Sequence, residues 1–231
     1  NSNNNLDSLN SVYRFIENRK KTLNTSVYRK VFEDYNPVEF YEKNEETAGQ
    51  YQYLGCFENS DRLKLFLKRH QITLNEFFLS IWALVLSFTF GREDILLGVS
   101  LSGRSTFPIN ILNSIGMFVT TLPCRIKNIE SYTNINTLFK EIQTQSSQMQ
   151  DSDLISWKER VDFPLALSVT ENISQIDYEL HYKGETFSED VVKVISDLFD
   201  NIVKLLLENN LNSINDLKAV LIENNNLYPR K

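Results

Sequence analysis

Cysteines, histidines and basic blocks are scarce in this chain, and each scarcity closes off a class of function. The two cysteines, Cys56 and Cys124, stand far apart in 231 residues without metal-ligand spacing. Free thiols of a cytoplasmic protein are expected, rather than a disulfide framework or a thiolate metal centre. The two histidines are His70, at the end of a helical stretch where a cationic ring suits the helix dipole, and His181, on the polar side of an alternating strand. Neither setting supports a self-contained Ser-His-Asp or Cys-His site. The net charge is -6, and no lysine- and arginine-rich block interleaves with aromatics, which argues against a nucleic-acid partner. The most apolar run, "FFLSIWALVLSFTF" at 77–90, is too short to span a bilayer and stops at Gly91 and Arg92. No membrane role is expected.

Other absences are equally informative. The start, "NSNNNLDSLNS", is polar, lacks an initiator Met and does not resemble a secretion signal, while the end, "VLIENNNLYPRK", has linker composition. Both ends read as cuts from a longer chain. There is no GxxxxGK[ST], no GxGxxG after a strand, no HExxH and no GxSxG. The acidic pairs Glu93–Asp94 and Asp151/Asp153 fall where turns and helix ends expect solvated charge, with nothing apolar nearby to shift them. No internal repeat is visible.

What is present is a globular pattern, with 42% apolar residues and enough length to bury a core. Residues 8–35 read as a polar helical region broken by Pro37, and "YQYLGCF" at 51–57 as a short strand. Ser60–Asp61 opens a helix with Leu63, Phe66 and Leu67 as its core stripe. "TLNE" at 73–76 has capping-box form and starts the apolar helix that runs to Phe90. "ILLGVSL" at 95–101 is a continuous apolar run, expected as a strand buried on both faces in the middle of a sheet. "IGMFVTTLPCR" at 115–125 is a second strand with two threonines at its centre and Arg125 at its exit, Arg125 being as compatible with the surface as with the core. Residues 134–150 form an amphipathic helix carrying Ile135, Leu138, Phe139 and Ile142. Two alternating strands follow, Phe163/Leu165/Leu167/Val169 and Ile176/Tyr178/Leu180/Tyr182, closed as an antiparallel hairpin through "TENISQ". Ser188 caps a long helix whose inner stripe is expected to hold Val191, Ile195, Leu198, Ile202 and Leu205. The class is α/β or α+β: a layered sandwich with helices on a mixed β-sheet.

Taken together, "FFLSIWALVLSFTFGREDILLGVSLSGR" and "IGMFVTTLPCR" resemble the condensation domains of nonribosomal peptide synthetases. That family leads a hydrophobic helix into a strand ending in Gly-Arg, then into a motif close to (I/V)GxFVNTLPxR. Ile115, Gly116, Phe118, Val119, Thr121, Leu122, Pro123 and Arg125 fit it, while Thr120 stands where the family usually has Asn. The flanks resemble it more loosely: "VYRFIENRKKT" its tyrosine-containing helix, "MQDSDL" its Gln-Asp motif, and "DFPLALSV…YELHYKGETFSEDVV" its closing hairpin and helix. The stretch between Arg125 and Asp162 is shorter than the family's usual bridging region.

The resemblance implies the C-terminal half of a chloramphenicol acetyltransferase-like pair, with residues 1–45 as linker helices from an absent N-terminal half. Residues 46–210 would be the subdomain itself, and 211–231 a linker toward a following domain, most naturally adenylation. Between two such halves runs a tunnel where a carrier-bound acyl or peptidyl thioester meets a carrier-bound amino acid. The family's HHxxxDG motif, on the first half, does not occur here, so no catalytic residue is expected in this chain. The resemblance gives Arg104, beside Gly103, an ion pair with the Asp of HHxxxDG. It makes Thr120, Thr121, Gly116 and Phe118 tunnel-lining or substrate-contacting residues. No cofactor or metal is expected to bind directly; the implied group is the phosphopantetheine arm of the donor and acceptor carrier domains. Two other readings stay open: a noncatalytic condensation-like platform for carrier or tailoring proteins, and an ester-forming acyltransferase of the same superfamily.

Overall fold

The computed structural model describes residues 26–37, 49–58, 60–102, 119–150, 163–173, 175–209, 211 and 213–223, with the backbone alone at 26–28, 60, 150 and 209. In chain order the elements are α1 (Ser26–Phe32), β1 (Gln50–Phe57), α2 (Ser60–His70), α3 (Leu74–Phe90), β2 (Ile95–Ser102) and β3 (Val119–Ile126). A 3-10 turn at Ile129–Ser131 leads to α4 (Ile135–Gln150), β4 (Leu165–Glu171), β5 (Ile176–Lys183), α5 (Glu189–Asn209) and α6 (Ile214–Glu223). The fold is α/β and layered, with helices covering strands. The chain divides into two compact units. One comprises Asn1–Tyr35, Leu96–Arg125 and Thr144–Val161, and the other Asn36–Ile95, Ile126–Gln143 and Asp162–Lys231.

In the second unit, β5 is the central strand of an antiparallel sheet ordered β1-β5-β4. Alternation decides its faces. Ile176, Tyr178, Leu180 and Tyr182 are buried, while the intervening Asp177, Glu179, His181 and Lys183 stay partly solvated. Register sets Gly55 of β1 opposite Tyr178, and Tyr53 opposite Leu180. A Cβ at Gly55 would lie 2.2 Å from Tyr178 Cζ, so the absent side chain is what lets the tyrosine ring lie across β1.

Helix α5 covers the inner face, with α3 and α2 packed against it. Phe57, Phe78, Tyr178 and Phe199 pack ring to ring, with centroids 5.2 Å apart for Phe57–Tyr178, 5.9 Å for Phe78–Phe199 and 4.9 Å for Tyr178–Phe199. Offset and edge-on contacts of this kind add to the burial of the rings themselves. Helix α3 begins as its sequence requires: Glu76 N–H donates to Thr73 Oγ1 at 3.2 Å, and Thr73 N–H donates to Glu76 Oε2 at 2.7 Å. It ends at Gly91, whose φ of 55° is the left-handed conformation that favours glycine, with the Gly91 N–H turned back to the Ser87 carbonyl.

Three expectations shift. The inner stripe of α5 is Val192, Ile195, Leu198, Phe199, Ile202, Val203 and Leu206, whereas Val191 is 42% exposed. The helix is turned so that the residue after Val191 enters the core. β2 is buried on one face only: Ile95, Leu97 and Val99 point inward, and Gly98 and Ser100 are exposed. Among the described residues it pairs with β3 alone. Residues 211–231, read as linker, carry α6, and its Ile214, Leu217 and Leu221 are buried. Among the described residues no single helix is long and apolar enough to cross a membrane.

Candidate functional site

The strand that drew attention in the sequence, β3, lies in the first unit for all but its last residue and pairs with β2. Successive strand residues point to opposite faces. Thr120, Leu122 and Cys124 are buried together, while Val119 is 56% exposed and Thr121 and Pro123 are half-buried. The two adjacent threonines therefore lie on different faces of the strand. On the half-buried face, the Thr121 hydroxyl lies 3.2 Å from the Ser100 hydroxyl across the strand pair. Gly98, Ser100 and Val119 are exposed beside it, giving a small-residue, hydroxyl-bearing surface on β2 and β3. Such a surface presents donors and acceptors to an extended chain carrying amides.

Thr120 behaves differently. It is 4% exposed, and its Oγ1 has no hydrogen-bond partner among the described residues. A buried hydroxyl left unsatisfied costs about 1–3 kcal/mol. Its place is with the core.

Arg125, open to either reading in the sequence, is buried at 7% exposure. Its Nη1 donates to the Val31 carbonyl at 2.8 Å and to the Glu33 carbonyl at 2.5 Å, both at the C-terminal end of α1. The guanidinium lies 5.2 Å from the centre of the Tyr35 ring. The Arg125 backbone is held as well: its N–H donates to Gln145 Oε1 at 3.0 Å, and its carbonyl accepts from Gln145 Nε2 at 2.6 Å. Unpaired helix-end carbonyls carry partial negative charge, which suits a guanidinium. Sequence reasoning left this residue undecided because its acceptors are backbone atoms about 90 residues upstream.

Gly103, Arg104, Gly116 and Phe118 lie outside the described residues, as do the stretch 12–22 and Asp151–Leu154; Met149 and Gln150 end α4. The histidines have local partners. His70 Nδ1 lies 2.6 Å from Asn136 Oδ1, and its ring sits 4.1 Å from that of Phe66. His181 Nε2 lies 3.2 Å from Glu179 Oε2, and its Nδ1 lies 3.3 Å from Gln52 Nε2 on the outer sheet face. Among the described residues no group of three or more His, Cys, Asp or Glu is placed to hold a metal ion.

One buried polar cluster went unread in the sequence. Tyr178 Oη lies 2.7 Å from Ser196 Oγ and donates to Asp200 Oδ1 at 2.8 Å. Burial pushes the Asp200 carboxyl up to about 6, against the lowering effect of the Tyr178 hydrogen bond and with a further push from Asp197. Desolvation likewise raises the Tyr178 hydroxyl far above its ordinary value. The available signal was Ser196 and Asp200, polar residues one turn apart flanking the apolar stripe of α5.

Comparison with known proteins adds the following. Residues 41–159 match a family model described as the condensation domain. Chondramide synthase of Chondromyces crocatus is 30% identical over 118 residues, which is 49% of this chain and 3% of that protein. The condensation domain of the monacolin K polyketide synthase superposes with a TM-score of 0.61 at 11% identity, covering 78% of this chain and 52% of that one. The cyclization-docking bidomain from Sorangium cellulosum gives 0.64 at 14% identity, covering 85% and 48%. The chain thus spans a few per cent of its curated relative and about half of each solved chain it resembles.

Proposed function

The chain belongs to the condensation-domain family, and from that premise we propose that it is the C-terminal subdomain of a nonribosomal peptide synthetase condensation domain, acting in the cytoplasm. The observation that carries the reading is the order of β2, Gly103–Arg104 and the 115–125 motif within the family match at 41–159. The Thr121–Ser100 surface supports it, because its hydroxyls suit the amide-bearing phosphopantetheine arm of a carrier domain.

In the proposed reaction the amine nitrogen of a carrier-bound amino acid attacks the carbonyl carbon of a carrier-bound thioester. A C–N bond forms, the C–S bond breaks, and the thiol of the donor arm leaves. The proton given up by the amine is handled by the His of HHxxxDG on the first half. Neither His70 nor His181 begins that motif. This half supplies the facing wall, with Thr121 contacting the arm. Arg104 pairs with the Asp of HHxxxDG and holds the catalytic loop in place. Gly103 supports Arg104, and Gly116 and Phe118 belong to the same wall as Thr121. The partners are the N-terminal half, a donor and an acceptor carrier domain, and a following adenylation domain.

The test is Arg104→Ala in the chain joined to a first half bearing HHxxxDG. Single-turnover peptide formation between loaded carriers is expected to fall about 10- to 100-fold, with the melting temperature of this half unchanged. Unaltered turnover removes Arg104 from the site. Carrier binding without product, from a first half of proven competence, replaces the reading with that of a noncatalytic platform; an ester product replaces it with that of an ester-forming acyltransferase.

A further inference from the structure

The first unit contains a clamp that the motif reading leaves unused. Arg125 is the penultimate residue of the strand that carries Thr121, and its side chain reaches the carbonyls of Val31 and Glu33, at the exit of α1. Tyr35 stacks against the same guanidinium. Gln145 brackets the Arg125 peptide from α4 with one donor and one acceptor. A buried cation is tolerated only where several oriented acceptors surround it, and here those acceptors belong to the chain segment that leads into the subdomain.

We propose that Arg125 is a positioning residue, fixing the Val31–Tyr35 segment to the end of β3 and thereby setting where the Thr121–Ser100 surface stands relative to the incoming chain. The inference rests on the condensation reading above. A planar guanidinium meets two carbonyls and a ring face at once; an ammonium is a point charge without that fork. Lysine at 125 therefore keeps the charge but loosens the segment, and leucine at 35 removes the ring face together with the phenol hydroxyl while leaving the guanidinium in place.

The experiment compares wild type, Arg125→Lys, Arg125→Gln and Tyr35→Leu, each in this chain joined to a first half bearing HHxxxDG. Amide hydrogen exchange over 31–37 and 119–126 reads the clamp without any need for activity, and condensation between loaded carriers reads its consequence. Faster exchange at 33–36 is expected in all three variants. For Arg125→Lys, kcat is expected to fall about tenfold, with KM for the acceptor carrier within twofold and thermal unfolding still cooperative. Tyr35→Leu, which keeps the guanidinium, is expected to retain more activity than Arg125→Gln. Unchanged exchange in Arg125→Lys overturns the clamp. A kcat that falls only in proportion to the folded fraction overturns the positioning role and leaves Arg125 purely structural. If wild type itself forms no product, the condensation reading fails and the positioning role fails with it, while the exchange data still decide whether Arg125 holds the segment.

Discussion

At the scale of single residues, the core carries polar groups whose energetics have opposite signs. Asp200 accepts a hydrogen bond from Tyr178, yet burial raises its pKa to about 6. In the unfolded chain the same carboxyl titrates near ~3.9. Between those values the folded protein holds the proton that the unfolded chain has released. Its contribution to stability is therefore complete below about pH 4 and is lost as the pH rises through about 6. Asp200→Asn keeps an acceptor for Tyr178 and removes the charge. By chemical denaturation the variant is expected to be more stable than wild type at pH 7, with the gap closing toward pH 4. A gap of equal size at both pH values contradicts this account of Asp200. Gly55 works by absence. Tyr178 occupies the volume a Cβ would need and is tethered by Ser196 and Asp200, so Gly55→Ala is expected to cost about 1–3 kcal/mol, measured as a lower denaturation midpoint at unchanged slope.

At the scale of elements, legibility followed how locally each element is determined. Helix α3 was readable to its ends because Thr73, Glu76 and Gly91 are its own caps. The hairpin of β4 and β5 was readable from period-2 alternation, and the antiparallel register bears out the pairing, but Phe163, counted with the inner face, precedes β4 and is 44% exposed. β2 misled because its run looks uniformly apolar, although Gly98 and Ser100 mark its exposed face. The stripe of α5 was displaced because Val191 and Val192 are equally apolar, and tertiary packing chooses between them. For the candidate site, the strand itself was visible, but strand alternation separates Thr120 from Thr121. Arg125 was undecidable because its partners are backbone carbonyls distant in sequence. One prediction belongs to this strand: Thr120→Val, nearly isosteric and without the hydroxyl that has no partner among the described residues, is expected to raise stability by about 1 kcal/mol without lowering condensation. Lost turnover at full stability would return Thr120 to the substrate wall.

At the scale of the whole molecule, the chain shares its family with condensation domains while the aligned solved chains are about twice the span it covers. The proposed division of labour follows from its residues. It has a hydroxyl-bearing strand surface and an arginine motif, and no His of the HHxxxDG type in its 231 residues. The measurement that tests this most directly is peptide-bond formation between a loaded donor carrier and a loaded acceptor carrier, run with the chain alone and with the chain joined to a first half bearing HHxxxDG. The account predicts dipeptidyl product only from the joined protein; product from the chain alone, at a comparable rate, would contradict it.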